Sequence, residues 1–128
     1  MPDDVTDMVL TADAKALSTI MENAAHVVPV STVKMVDNEI MLVNYFMGQT
    51  LKNIQVNPRV SLACWKGLNG YQIKATAEYV TEGDLFDQTV IWIREILPTR
   101  VVKGLLLLTP YEVYDVSATI EHPGSKLI

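Results

Sequence analysis

Two very short connections constrain this chain more than any other feature. Asp37-Asn38 joins the β-rich runs 26–36 and 39–46, and Gly67-Leu68-Asn69-Gly70 joins 59–66 to 71–81. Links of two and four residues leave no length for a crossover, so each pair of runs must fold back antiparallel as a hairpin. Another run, 17–21, precedes them, and 104–116 reads as one or two strands kinked near Pro110, where the ladder has no donor. Six antiparallel strands in a meander are therefore expected, with few helices. Within 71–81, Tyr71, Ile73, Ala75, Ala77 and Tyr79 alternate with Gln72, Lys74, Thr76 and Glu78, the pattern of a sheet with one wet side. Runs 39–46 and 105–108 are instead apolar on both faces, so a closed barrel, a helix or a second subunit must cover them.

The helical segments are marked by spacing and stops. Val5, Met8, Val9 and Ala12 follow Asp3 and Asp4 at helical intervals, which predicts a short N-terminal helix over 3–12. Residues 48–57 carry Leu51 and Ile54 three apart before Pro58 forbids continuation, as in a helix of two to three turns. Thr81 followed by Asp84 resembles a capping box, and Leu85, Phe86, Val90, Ile93 and Leu97 then recur up to Pro98, which predicts the longest helix.

Composition narrows the classes. At 128 residues, 49% hydrophobic and 20% charged, the chain suits one folded domain over 1–128, with a tail at 118–128. Fifteen acidic against ten basic side chains give a formal net charge of −5, whose field repels nucleic-acid backbones and acidic bilayers. The most apolar run, 101–109, is broken by Lys103 and falls far short of the roughly 20 residues of a spanning helix. A single cysteine, Cys64, closes no internal disulfide, and the start MPDDVTDM lacks the basic and apolar stretches of a secretion signal, so the expected compartment is the cytoplasm.

The segments His26-Val27-Val28-Pro29-Val30-Ser31, Asp37-Asn38-Glu39-Ile40, Asn53-Ile54-Gln55-Val56-Asn57-Pro58-Arg59-Val60-Ser61-Leu62 and Val113-Tyr114-Asp115-Val116 resemble the pyridoxamine 5'-phosphate oxidase-like, FMN-binding split β-barrel family. The likeness runs from Leu17 to Val116. It implies a mainly β, six-stranded antiparallel split barrel, homodimeric, with FMN in grooves at the subunit interface. It further implies a small FMN-dependent oxidoreductase or flavin reductase with a small-molecule electron donor or acceptor. On the same resemblance, Val30, Ser31, Thr32, Asn44, Gln49 and Thr50 hold the ribityl phosphate, Asn44 and Tyr45 border the flavin ring, and Trp65 reaches it from a hairpin.

Physical reasoning supports part of that assignment. A helix beginning near Gly48 points free N–H groups and a partial positive charge outward, and Ser31, Thr32 and Thr50 add hydroxyls. Thr50 and Asn53 share a side distinct from Leu51 and Ile54, so one side is expected to pack while the other faces a ligand. Many relatives carry Arg-Lys or Lys-Thr where this chain has Gln49-Thr50, so the usual cation over the phosphate is absent or moved, with Lys34 and Lys52 as candidate replacements. The resemblance also leaves open a non-enzymatic flavin carrier, or a scaffold that takes haem, F420 or no ligand. True pyridoxamine 5'-phosphate oxidase activity is not expected, because those enzymes are longer and end in a substrate-binding segment with Arg and His, whereas this chain ends Pro123-Gly124-Ser125-Lys126-Leu127-Ile128.

The remaining residues have plainer readings. Trp65 also reads as an interface anchor, and Cys64 as a small buried hydrophobe. His26 and His122 have no partner at ligand spacing, so no metal is expected. Glu82, Asp84 and Asp87 suit a helix start, and no side chain is singled out as catalytic.

Overall fold

A computed structural model describes residues 1–118 and 124–128 of the chain. Its elements are α1 (Asp3–Thr11), β1 (Ala14–Met21), β2 (Ala24–Pro29), β3 (Val33–Val36), β4 (Glu39–Asn44), α2 (Gln49–Val56), β5 (Arg59–Lys66), β6 (Asn69–Val80), α3 (Asp84–Ile96), β7 (Gly104–Asp115) and β8 (Ser125–Lys126). All strand pairs are antiparallel, in the order β2-β1-β5-β6-β7-β4-β3, with β8 added to β7. Among the described residues no helix is long and apolar enough to cross a membrane. His122 lies outside the described residues.

The sheet has eight strands where the sequence predicts six. Residues 26–36 do not run as one strand. Pro29 has no N–H to continue the ladder, β2 ends there, and β3 resumes beside a different neighbour: β2 pairs with β1, β3 with β4. The expected tail also contributes β8, which places Ser125 and Lys126 opposite Asp115 and Tyr114. Residues 104–116 form one strand whose ladder slips at Pro110, with Lys74 facing Glu112 but Ala75 facing Pro110, so Tyr111 is bulged out. The hairpin at 67–70 is tighter than its composition implies, because Asn69 and Gly70 already pair with Lys66 and Trp65. The helix α3 also starts differently from expectation. Gly83, at φ 101°, stands at its N-cap, and no side chain caps it, so Thr81 forms no capping box.

The strand order forces the sheet to curl. Its two edges, β2 and β3, are consecutive in the chain and joined only by Val30, Ser31 and Thr32. Laid flat, seven strands about 4.8 Å apart would separate those edges by about 29 Å, whereas the steps from Pro29 to Val33 reach at most about 14 Å. The sheet therefore wraps until its edges approach, without pairing, and leaves a split.

Inside the curl lie Leu17, Ile40, Leu62, Ile73, Leu106 and Val113, joined by Val5 and Val9 of α1 and Ile54 of α2. A second cluster on the outer side of β4 and β7 holds Met41, Val43, Leu105 and Ile93, with Leu85, Phe86 and Trp92 packed on it. The two-sided apolar runs are thus covered by the barrel interior on one face and by α3 on the other. Each fully buried aliphatic side chain contributes about 1.5–3 kcal/mol.

Cys64 belongs to the interior, and burial pushes its thiol up from 9.0 to about 11. An acid group whose pKa is raised on folding adds stability below its unfolded value and loses it as the pH climbs to the folded one. The expected result is that the urea midpoint falls more steeply between pH 9 and about 11 in the native protein than in Cys64→Val, measured by far-UV circular dichroism. Equal slopes would contradict a buried, neutral thiol.

Candidate functional site

Where the sheet edges meet, a groove of about 310 Å³ opens. The end of β2 supplies Val28, the β2–β3 link Val30 and Ser31, the segment after β4 supplies Tyr45, Phe46 and Met47, and Arg100 enters from the α3–β7 connection. The lining is mostly apolar, with one free hydroxyl at Ser31 and one cation. Phe46 is 75% exposed. The Arg100 guanidinium lies 5.4 Å from the Tyr45 ring centre and 5.3 Å from that of Phe46, and Lys103 Nζ lies 5.7 Å from Phe46.

The groove is held open by polar ties just behind it. The Thr32 and Tyr45 hydroxyls share a hydrogen bond at 2.8 Å, and Val43 N–H donates to the Thr32 carbonyl at 3.3 Å, so Thr32 extends the β3–β4 pairing along one side of the split, while Val30 N–H donates to the Lys15 carbonyl at 3.1 Å on the β1–β2 side. Asn44, fully buried, fixes the loop carrying Tyr45 to Met47. Its Oδ1 accepts from Met47 N–H (2.7 Å), its Nδ2 donates to Tyr79 Oη (2.9 Å) and its carbonyl accepts from Lys103 N–H (2.9 Å). Buried side-chain amides need such partners, since an unsatisfied one costs about 1–3 kcal/mol.

The other sequence-predicted positions are dispersed. Thr50 and Asn53 do not face outward from α2; both are buried, and Leu51 is only partly covered. Asn53 Nδ2 donates to Thr19 Oγ1 of β1 (3.0 Å), and Gln49 Nε2 donates to Asn53 Oδ1 (2.8 Å), so this polar side anchors α2 to the barrel. The Thr50 hydroxyl is buried with no hydrogen-bond partner among the described residues. Gln49 and Asn53 line a separate hollow of about 170 Å³ with His26. Lys52 is exposed on α2, and Lys34 Nζ lies over Trp92 at 4.9 Å, so neither candidate cation lines the groove. Trp65 lies at another groove, about 250 Å³, with Leu68, Tyr71 and Val116.

Val30, Ser31 and Tyr45 are thus brought together, while Phe46, Met47 and Arg100 complete the lining without having been anticipated. Phe46 and Met47 were legible as neighbours of Asn44 and Tyr45. Arg100 carries no local signal, because it is separated from them by more than fifty residues of chain and reaches the groove only through the packing of α3.

Known proteins share this sequence pattern and fold. A family model described as pyridoxamine 5'-phosphate oxidase matches residues 1–117. An uncharacterized protein of Methanocaldococcus jannaschii is 30% identical over 102 residues, which cover 76% of this chain and 68% of that protein. Among solved structures, HupZ of Group A Streptococcus has a TM-score of 0.83 at 18% identity, over 100% of this chain and 99% of that one. An FMN-binding protein from Syntrophomonas wolfei has a TM-score of 0.76 at 14% identity, over 90% and 84% of the two chains. The fold is shared as well with a haem storage protein, HutZ of Vibrio cholerae (TM-score 0.68, 14% identity, 88% and 92% covered), and with an F420 reductase (0.67, 11%, 88% and 98%).

The Asn44–Tyr79 tie depends on a glycine. A Cβ at Gly104 would overlap the Tyr79 ring, which lies against that residue. Gly104→Ala is expected to swing Tyr79 away from Asn44 and to destabilise the protein by about 1–3 kcal/mol, read from thermal or urea unfolding. An unchanged midpoint would contradict the close packing of Tyr79 on Gly104.

Proposed function

The chain belongs to the pyridoxamine 5'-phosphate oxidase family, and from that premise we propose that it is a flavoprotein whose groove at the split binds FMN, serving as a small oxidoreductase on a small-molecule electron donor or acceptor. The groove carries this reading. Its volume of about 310 Å³ lies at the lower end of ordinary small-molecule sites, roughly 300–1,000 Å³, and an apolar lining bordered by a hydroxyl and a cation suits a flat ring with a polar tail. Val30, Tyr45 and Met47 would hold the ring and exclude water, and Ser31 would donate to a polar edge. When bound, FMN supplies a ring that accepts a hydride or electrons, so the residues of the chain are needed chiefly to position it and keep it dry.

The neighbours in this fold include proteins described by FMN, haem and F420, so the architecture alone does not select among them. Among the described residues the groove lining offers haem iron neither histidine nor cysteine, and of its remaining candidate ligands, Tyr45 and Met47, the Tyr45 hydroxyl is already bonded to Thr32, which supports the flavin reading over the haem one. We also propose a homodimer. Phe46 (75% exposed), Leu68 (75%) and Val101 (70%) leave large apolar surfaces that a second copy would cover.

Titration with FMN, followed by quenching of flavin fluorescence, tests the reading. Saturable binding is expected in the native protein, and Ser31→Trp, at an exposed position, is expected to fill the groove and abolish binding with an unchanged melting temperature. Bleaching of the bound flavin by NADH or NADPH would mark a reductase, and its persistence a carrier. Undiminished FMN binding by Ser31→Trp would move the site elsewhere.

A further inference from the structure

We propose that Arg100 is the anion anchor of the groove, taking the phosphate of the bound nucleotide in place of any cation at the start of α2. This inference rests on the flavin reading above and assigns the end of the ligand that the ring contacts leave open.

Three observations converge on it. First, among the described residues Arg100 is the only charged side chain that lines the groove. Second, the start of α2 offers no charge: Gln49 is neutral and its amide is tied to Asn53, while Thr50 is sealed inside the fold. Third, the guanidinium is exposed, has no carboxylate partner among the described residues, and is steadied by the faces of Tyr45 and Phe46. The rings orient the planar fork without consuming its N–H donors, which leaves those donors for a ligand.

The overall charge favours a local cation. A phosphate monoester carries close to two negative charges at neutral pH and the chain as a whole carries a formal −5, so a cation in the groove offsets the repulsion the ligand meets. Arginine is suited to the task because its fork meets two phosphate oxygens at once. The residue sits at Pro98-Thr99-Arg100, just beyond the end of α3, so the helix that covers the outer cluster also delivers the charge to the split.

Paired titrations with FMN and with riboflavin, the same ring without the phosphate, separate the possibilities. If Arg100 binds the phosphate, Arg100→Ala weakens FMN about 10- to 100-fold and leaves riboflavin unchanged, while Arg100→Lys keeps part of the FMN affinity. The loss also shrinks as salt is raised, since screening already weakens the native contact. Equal weakening of both ligands would overturn the assignment, because Arg100 would then act only by shaping Tyr45 and Phe46. No change in either would overturn it as well. Binding of neither flavin by the unaltered protein would instead remove the flavin reading, and this inference with it.

Discussion

The link Val30-Ser31-Thr32 governs this architecture. It joins the two edge strands of a sheet whose other strands lie between them in pairing order, and so short a tether forbids a flat sheet. From that constraint follow the curl, the enclosure of Leu17, Leu62 and Leu106, and the placement of the split beside the segment that follows β4. The groove is therefore a consequence of topology: it forms where two edges approach without hydrogen-bonding to each other.

Edges left open in this way have to be spaced and held, and the chain does so with buried polar groups. Thr32 meets Tyr45 along the β3–β4 side of the split, Asn44 ties the loop behind it, and Asn53 joins α2 to Thr19 of β1. The Asn44–Tyr79 and Asn53–Thr19 bonds connect residues 35 and 34 apart in sequence, and losing either would leave a buried asparagine amide without that partner. Polar residues that resemble ligand contacts when read in sequence are thus partly absorbed into the scaffold. Ser31 and Arg100 retain free polar atoms toward the groove.

Much of the fold was legible because it depends on local rules. The two-residue hairpin at Asp37-Asn38, the stop of α2 before Pro58, the span of α3 and the kink at Pro110 all follow from turn length, spacing or a missing N–H. Two-sided apolar runs at 39–46 and 105–108 likewise announced a second covering layer, which α3 provides. The breaks in this legibility are non-local. Whether 26–36 was one strand or two turned on which neighbours its halves would meet, and the two-residue β8 has too few residues to carry a pattern. Thr50 and Asn53 do share a side of α2, but Ile54, expected on a different side, is buried with them, and periodicity cannot say whether a polar side faces water or a buried hydroxyl such as that of Thr19. Arg100 had no detectable signal at all, because its role is created by the packing of α3 rather than by its own surroundings in sequence.

Membership of the family and the shared fold explain the scaffold, while the identity of the occupant depends on the groove's own lining. The most direct measurement is a crystal structure of the protein grown with FMN. The account predicts flavin density between Val30-Ser31 and the Tyr45–Met47 segment. Flavin bound at another surface, or a groove closed by its own side chains, would contradict it.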